Sequence, residues 1–153
     1  MPASPTLDCG GPSLDARRSL DRDILFHAVW NETLLYVAAA ATALWGIAHL
    51  VPTRSVVREF GQLSADNARI ITMEWILEGV ALIFIGVLVA TVTIVDATTV
   101  AARTVYVISA IGLLIFATVS FFTGFRVQFL PFRLCPFIFT ASSVLILLGG
   151  LAG

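Results

Sequence analysis

The sequence has no lysine, and its charged residues together make up only 12% of the chain. A soluble domain carries about 25%. Nine basic side chains, all arginine, face ten acidic ones, so the basic excess that a nucleic-acid binder needs is missing. Only two cysteines occur, Cys9 and Cys135, and no CxxC pair. That argues against a thiol-redox enzyme. The glycine-rich phosphate loops, the G-x-S-x-G elbow and the HExxH spacing are all absent. What the chain has in quantity is apolar surface: 58% hydrophobic residues in 153. Mean hydropathy is +0.95. Disorder is excluded by the same composition, and the chain is too poor in charge to clothe a soluble globule. An integral membrane protein remains.

The charges are clustered. Eight fall within 1–32 and five within 53–69, leaving four long apolar stretches. Thr33–Thr53 is free of formal charge, and Ile70–Val95 is interrupted only by Glu74 and Glu78. Thr104–Phe125 and Leu134–Gly153 carry no charge. About 20 apolar residues cross the hydrocarbon core as a helix, and backbone groups in lipid must be satisfied within the helix. The pattern predicts an all-α, integral membrane four-helix bundle, with spans at 33–52, 70–95, 104–124 and 131–151. Ahead of it, MPASPTLDCGGPS reads as a disordered tail. From Leu14 to Trp30, Leu20, Ile24, Leu25, Ala28 and Val29 recur at helical spacing. They predict a short amphipathic helix lying in the interface, with an unstructured leader as the alternative. Arginines divide four against five between the two sides, which leaves the orientation open.

Connectivity then places the polar residues. The Pro52–Arg69 loop and the turn near Gly124–Leu130 are on one side, so His49, Glu74, Glu78 and Arg133 share one leaflet. His49 continues the small-residue edge of Ala39, Thr42, Ala43 and Gly46, and so should face a neighbouring helix. Glu74 and Glu78 lie at i, i+4 on one helical face. A charge at the bilayer centre costs on the order of 2.5–3.5 kcal/mol, so these carboxylates need partners or a wet cavity. Arg133 is the expected partner, because a guanidinium can grip a carboxylate in a fork, with Arg126 or Arg69 from the loops as substitutes. Cys135 lies about 200° from Arg133 around the helix and is expected to point away from the cluster as a packed thiol. His49, Glu74, Glu78 and Arg133 are thus the candidate ligand- or proton-binding residues. No catalytic residue and no metal site is predicted, since no paired-histidine spacing accompanies them.

Trp45-Gly46-Ile47-Ala48-His49, the run from Arg69 to Gly79 and Phe132-Arg133-Leu134-Cys135-Pro136 resemble small bacterial four-helix membrane proteins of the broad DoxX-like kind. The resemblance covers about residues 33–150. It implies a four-helix bundle in a bacterial inner membrane and, through the quinone-dependent redox systems linked to some DoxX relatives, quinone as a candidate cofactor. Three roles stay open: an accessory or ligand-binding bundle, a small proton-linked transporter using Glu78, and a quinone-binding redox subunit with its site near His49. The first is preferred, which leans away from an enzyme. The partners expected are the lipid bilayer and either further copies of the chain or a larger membrane complex.

Overall fold

A computed structural model describes residues 14–124, 126–127 and 130–151. The tail 1–13, with Cys9, lies outside the described residues, as do the side chains of Arg17 and Leu20. The described chain is helical: α1 (Leu14–Leu50), α2 (Thr53–Glu59), α3 (Ala65–Asp96), α4 (Val100–Gly124) and α5 (Leu130–Leu151). Four of these, all but α2, are long and apolar enough to cross a bilayer.

Each break has a local cause. Pro52 cannot continue α1, and the Thr53 hydroxyl donates to the Leu50 carbonyl (2.7 Å) as the chain turns into α2. Gly61 takes a left-handed φ of 75°, a conformation costing other residues roughly 1–2 kcal/mol. Ser64 then caps α3, its Oγ accepting the Asn67 N–H (3.2 Å). Between α3 and α4, Asp96 Oδ1 accepts both the N–H (2.8 Å) and the hydroxyl (2.7 Å) of Thr98, and Thr99 Oγ1 accepts the Ala102 N–H (3.1 Å). Pro131 stands in the first turn of α5, where no N–H is needed. Pro136 sits inside that helix without ending it, as membrane helices tolerate.

Two differences from the sequence reading stand out. The segment 14–30 is not a separate interfacial helix. α1 is unbroken for 37 residues, about 55 Å at 1.5 Å per residue, and every residue from Asp21 to Trp30 is exposed. No proline or glycine interrupts the chain between Leu14 and Trp45, so nothing in the backbone forces a bend at Trp30. The first loop also contains a helix, α2, whose Val56 is buried.

α1 packs on both α3 and α5, and α4 packs on α5, whereas α3 and α4 touch only sparingly. The order around the bundle is therefore α3–α1–α5–α4, with an underfilled seam between α4 and α3. The α1–α3 seam is built from small residues. A Cβ placed on Gly46 would fall 2.6 Å from the Gly79 carbonyl, and one on Gly86 2.6 Å from the Ala39 carbonyl. The small-residue edge at Ala39, Ala43 and Gly46 is thus a helix-packing edge, as its spacing predicts. On α5, a Cβ at Gly149 would meet the Asn31 carbonyl at 2.6 Å, and one at Gly150 the Tyr106 ring at 2.6 Å. The outside of the bundle is as apolar as its inside: Leu44, Ile70, Phe84, Val87, Ile94, Ile108 and Phe122 all face outward. In water such a surface would aggregate. This is a multi-pass membrane protein.

Buried hydroxyls tie the helices together. Tyr106 Oη and Thr93 Oγ1 lie 2.9 Å apart where α3 meets α4, and Ser143 Oγ donates to the Ala110 carbonyl (2.9 Å) between α5 and α4. Hydrogen bonds between membrane helices average about 0.6 kcal/mol. Tyr106→Phe should therefore lower the unfolding free energy by about that amount, with no effect on assembly. Unfolding in mixed micelles against denaturing detergent checks this, and the effect should vanish in a Thr93→Val background.

Candidate ligand pocket between α3 and α4

The pocket grows from the last turn of α1. His49 is 4% exposed. Its Nδ1 is 3.0 Å from the Trp45 carbonyl one turn back. A carbonyl can only accept, so Nδ1 carries the proton and Nε2 faces inward as the basic atom. The ring is held from two sides. Trp75 of α3 stacks on it (centroids 4.9 Å, planes 29° apart), and Trp45 meets it edge-on at 5.8 Å. The Trp75 indole N–H donates to the His49 carbonyl, and Phe132 of α5 closes against Trp75 at 5.2 Å. One α3 residue therefore fixes both the backbone and the ring of His49.

Two groups converge on Nε2. Glu78 Oε1 lies 3.7 Å away, and the Cys135 Sγ lies 3.9 Å away. The buried Trp45 indole N–H has no hydrogen-bond acceptor in the structure and belongs to the surroundings of the Cys135 sulfur.

This floor opens into a cavity of about 600 Å³ between α3 and α4. Its walls are Ile71, Leu77 and Ala81 from α3 and Ile115, Phe116, Val119 and Ser120 from α4, with Glu74 on the same face as Glu78. The rim residues Leu77, Ile115 and Val119 are exposed on the outer apolar surface, and Phe60, Thr123 and Gly124 carry the lining to the loop end of the bundle, so the cavity opens between the helices and toward that end. At the opposite end the helices converge on the Thr93–Tyr106 contact, which makes the cleft a wedge.

Of the four residues singled out by sequence, the structure brings three together: His49 and Glu78 at the floor, with Glu74 toward the mouth. Arg133 is exposed and does not line the cavity; the group facing the Glu78 carboxyl at the floor is the His49 ring, with Nε2 3.7 Å from Oε1. Cys135 was expected to point away and does the opposite. It is 3% exposed and forms part of the floor. The angular relation between Arg133 and Cys135 holds, but the face of α5 turned inward is that of the cysteine. Trp45 and Trp75 stand in the runs that carry the resemblance, but the sequence assigns neither a place at the site. The chain matches no protein-family model, no curated protein and no solved structure.

Proposed function

We propose that the protein is a membrane-embedded binding bundle that takes a lipid-soluble amphiphile into the α3–α4 cleft. The observation that supports this reading is the cleft itself: apolar walls opening to lipid, ending on a polar floor of His49, Glu78 and Cys135. Ligand sites commonly combine an apolar lining with a few convergent polar groups. The floor also favours a type of head group. With Nδ1 committed to the Trp45 carbonyl, Nε2 is an acceptor, as are the oxygens of a Glu78 carboxylate, and the Cys135 thiol facing Nε2 is the floor's one weak donor. An acceptor-rich floor suits a head that donates, such as the hydroxyls of a quinol. The DoxX-like resemblance, with its quinone systems and its bacterial inner membrane, points the same way.

Proton-linked transport receives less support. Among the buried hydroxyls, Thr42, Thr93 and Ser143 donate to the carbonyls of Ala38, Val89 and Ala110, and the apolar cleft gives transport no feature of its own.

Decylubiquinol and decylubiquinone, offered to the detergent-solubilised protein, test the reading. The quinol should stabilise it by about 2.7 kcal/mol at a hundredfold excess over Kd, and the quinone less. Ala81→Trp, which fills the cleft from its α3 wall, should abolish the response while leaving the helical circular dichroism intact. No stabilisation by either form overturns the proposal.

A further inference from the structure

We infer that His49 Nε2, Glu78 Oε1 and Cys135 Sγ form a binding site for a divalent transition metal of the zinc type. All three donor atoms lie within 4.8 Å of one another. They come from three different helices, α1, α3 and α5, so the set is a product of the bundle and not of local spacing. This is why no motif in the chain announces it.

Nitrogen, sulfur and carboxylate oxygen are the donors that zinc accepts, at about 2.0–2.3 Å. Bonds of that length at tetrahedral angles separate the donors by about 3.3–3.6 Å. The observed 3.7 Å for nitrogen to oxygen and 3.9 Å for nitrogen to sulfur leave a few tenths of an ångström to close on those two edges, while the oxygen-to-sulfur edge, within 4.8 Å, closes by up to about 1.2 Å as Glu78 swings in. Glu78, half-buried on a flexible stem, can supply that movement. The mix of a thiolate with imidazole and carboxylate favours zinc or cobalt over the hard cations.

The surroundings of the donors fit as well. A ligating histidine commonly donates its second ring N–H to a carbonyl or carboxylate, which sets the tautomer and aims the other nitrogen. Trp45 supplies that carbonyl, and Trp75 locks the ring plane. The buried Trp45 indole N–H, left without a hydrogen bond, is a donor beside the sulfur that would carry negative charge once metal binds. Binding releases the thiol proton to solvent and leaves a fourth position facing the cleft. The site shares its floor with the proposed amphiphile cavity but does not depend on that reading.

Cobalt(II) is the probe, with the full-length chain in detergent, any affinity tag removed and Cys9→Ser in the background so that Cys135 is the only thiol. One equivalent should bind with a sulfur-to-cobalt charge-transfer band and the intense visible bands of a tetrahedral ion, both displaced by zinc. Cys135→Ser should remove the charge-transfer band. Glu78→Gln should weaken cobalt binding by more than the roughly 10–100-fold that loss of an outer-shell partner costs. His49→Gln should do the same, and if it does not fold, Glu78→Gln carries the comparison. Absence of the charge-transfer band, or a band and affinity unchanged in Glu78→Gln, overturns the site. Ala81→Trp separates the two proposals: it should keep the cobalt spectrum while losing the quinol response.

Discussion

Gly86→Leu should leave no folded protein in mild detergent. Even a single methyl at this position would lie 2.6 Å from the Ala39 carbonyl oxygen and 2.9 Å from the Ala43 Cβ and backbone nitrogen. Two of those three atoms are backbone, so no rotamer change relieves the overlap, and α1 must move away from α3 along its length. In lipid this is severe, because helix association there rests on van der Waals packing and hydrogen bonds, with no hydrophobic drive between helices. Gly86→Ala and Gly46→Ala should each cost about 1–3 kcal/mol, the usual range for overpacking. Gly112 on α4 is the control. Its Cβ would meet nothing within 4 Å, and alanine there should be neutral or stabilise by about 0.5–1 kcal/mol through helix propensity. Size-exclusion profiles and unfolding curves distinguish these outcomes. A monodisperse Gly86→Leu protein melting near wild type would mean that the α1–α3 seam is not what holds the bundle together.

Trp75→Leu should be the most damaging substitution at the pocket, at about 3 kcal/mol, the lower end of large-to-small losses at Trp. Three contacts go at once: the stack on His49, the edge contact with Phe132 and the donor to the His49 carbonyl. Trp75→Phe keeps an aromatic face and loses the N–H, so it should cost only about 1 kcal/mol. The gap between the two variants measures the ring contacts apart from the hydrogen bond. Equal losses would place the whole effect in the hydrogen bond and leave the stack idle. Because the His49 ring is held by Trp75, both variants should also weaken ligand binding, with leucine the worse.

Much of this architecture was readable from the residues. The four charge-poor runs announce four spanning helices, since a membrane constrains composition along 20 residues at a time; where the first begins was not legible, because α1 continues back through the charged segment. The α1 packing edge was readable too, because small residues at four-residue spacing leave few other uses. Connectivity alone put His49, Glu74 and Glu78 at one end of the bundle, where the structure gathers them. The phase of α5 is less legible. Arg133 is the obvious charge partner in the sequence, yet Cys135, Phe139, Ser142, Ser143 and Ile146 form the buried stripe of that helix. The serines and the Gly149-Gly150 pair marked that stripe, and counting back from them by turns leads to Cys135. Charge complementarity predicted a pair, whereas packing decided which face turned in. The roles of Trp45 and Trp75 had no such signal. An indole in a membrane helix is as often an interfacial anchor as a clamp, and only the three-dimensional approach of α1 to α3 tells the two apart.

In the proposed role, the opening between α3 and α4 changes what concentration means for this protein. An amphiphile entering there comes from the lipid phase, so its occupancy follows its mole fraction in the bilayer and not its amount per litre of buffer. Adding empty lipid or detergent micelles at constant total ligand should then strip the site by dilution alone. Two laboratories using different lipid-to-protein ratios would measure different apparent affinities for the same unchanged pocket.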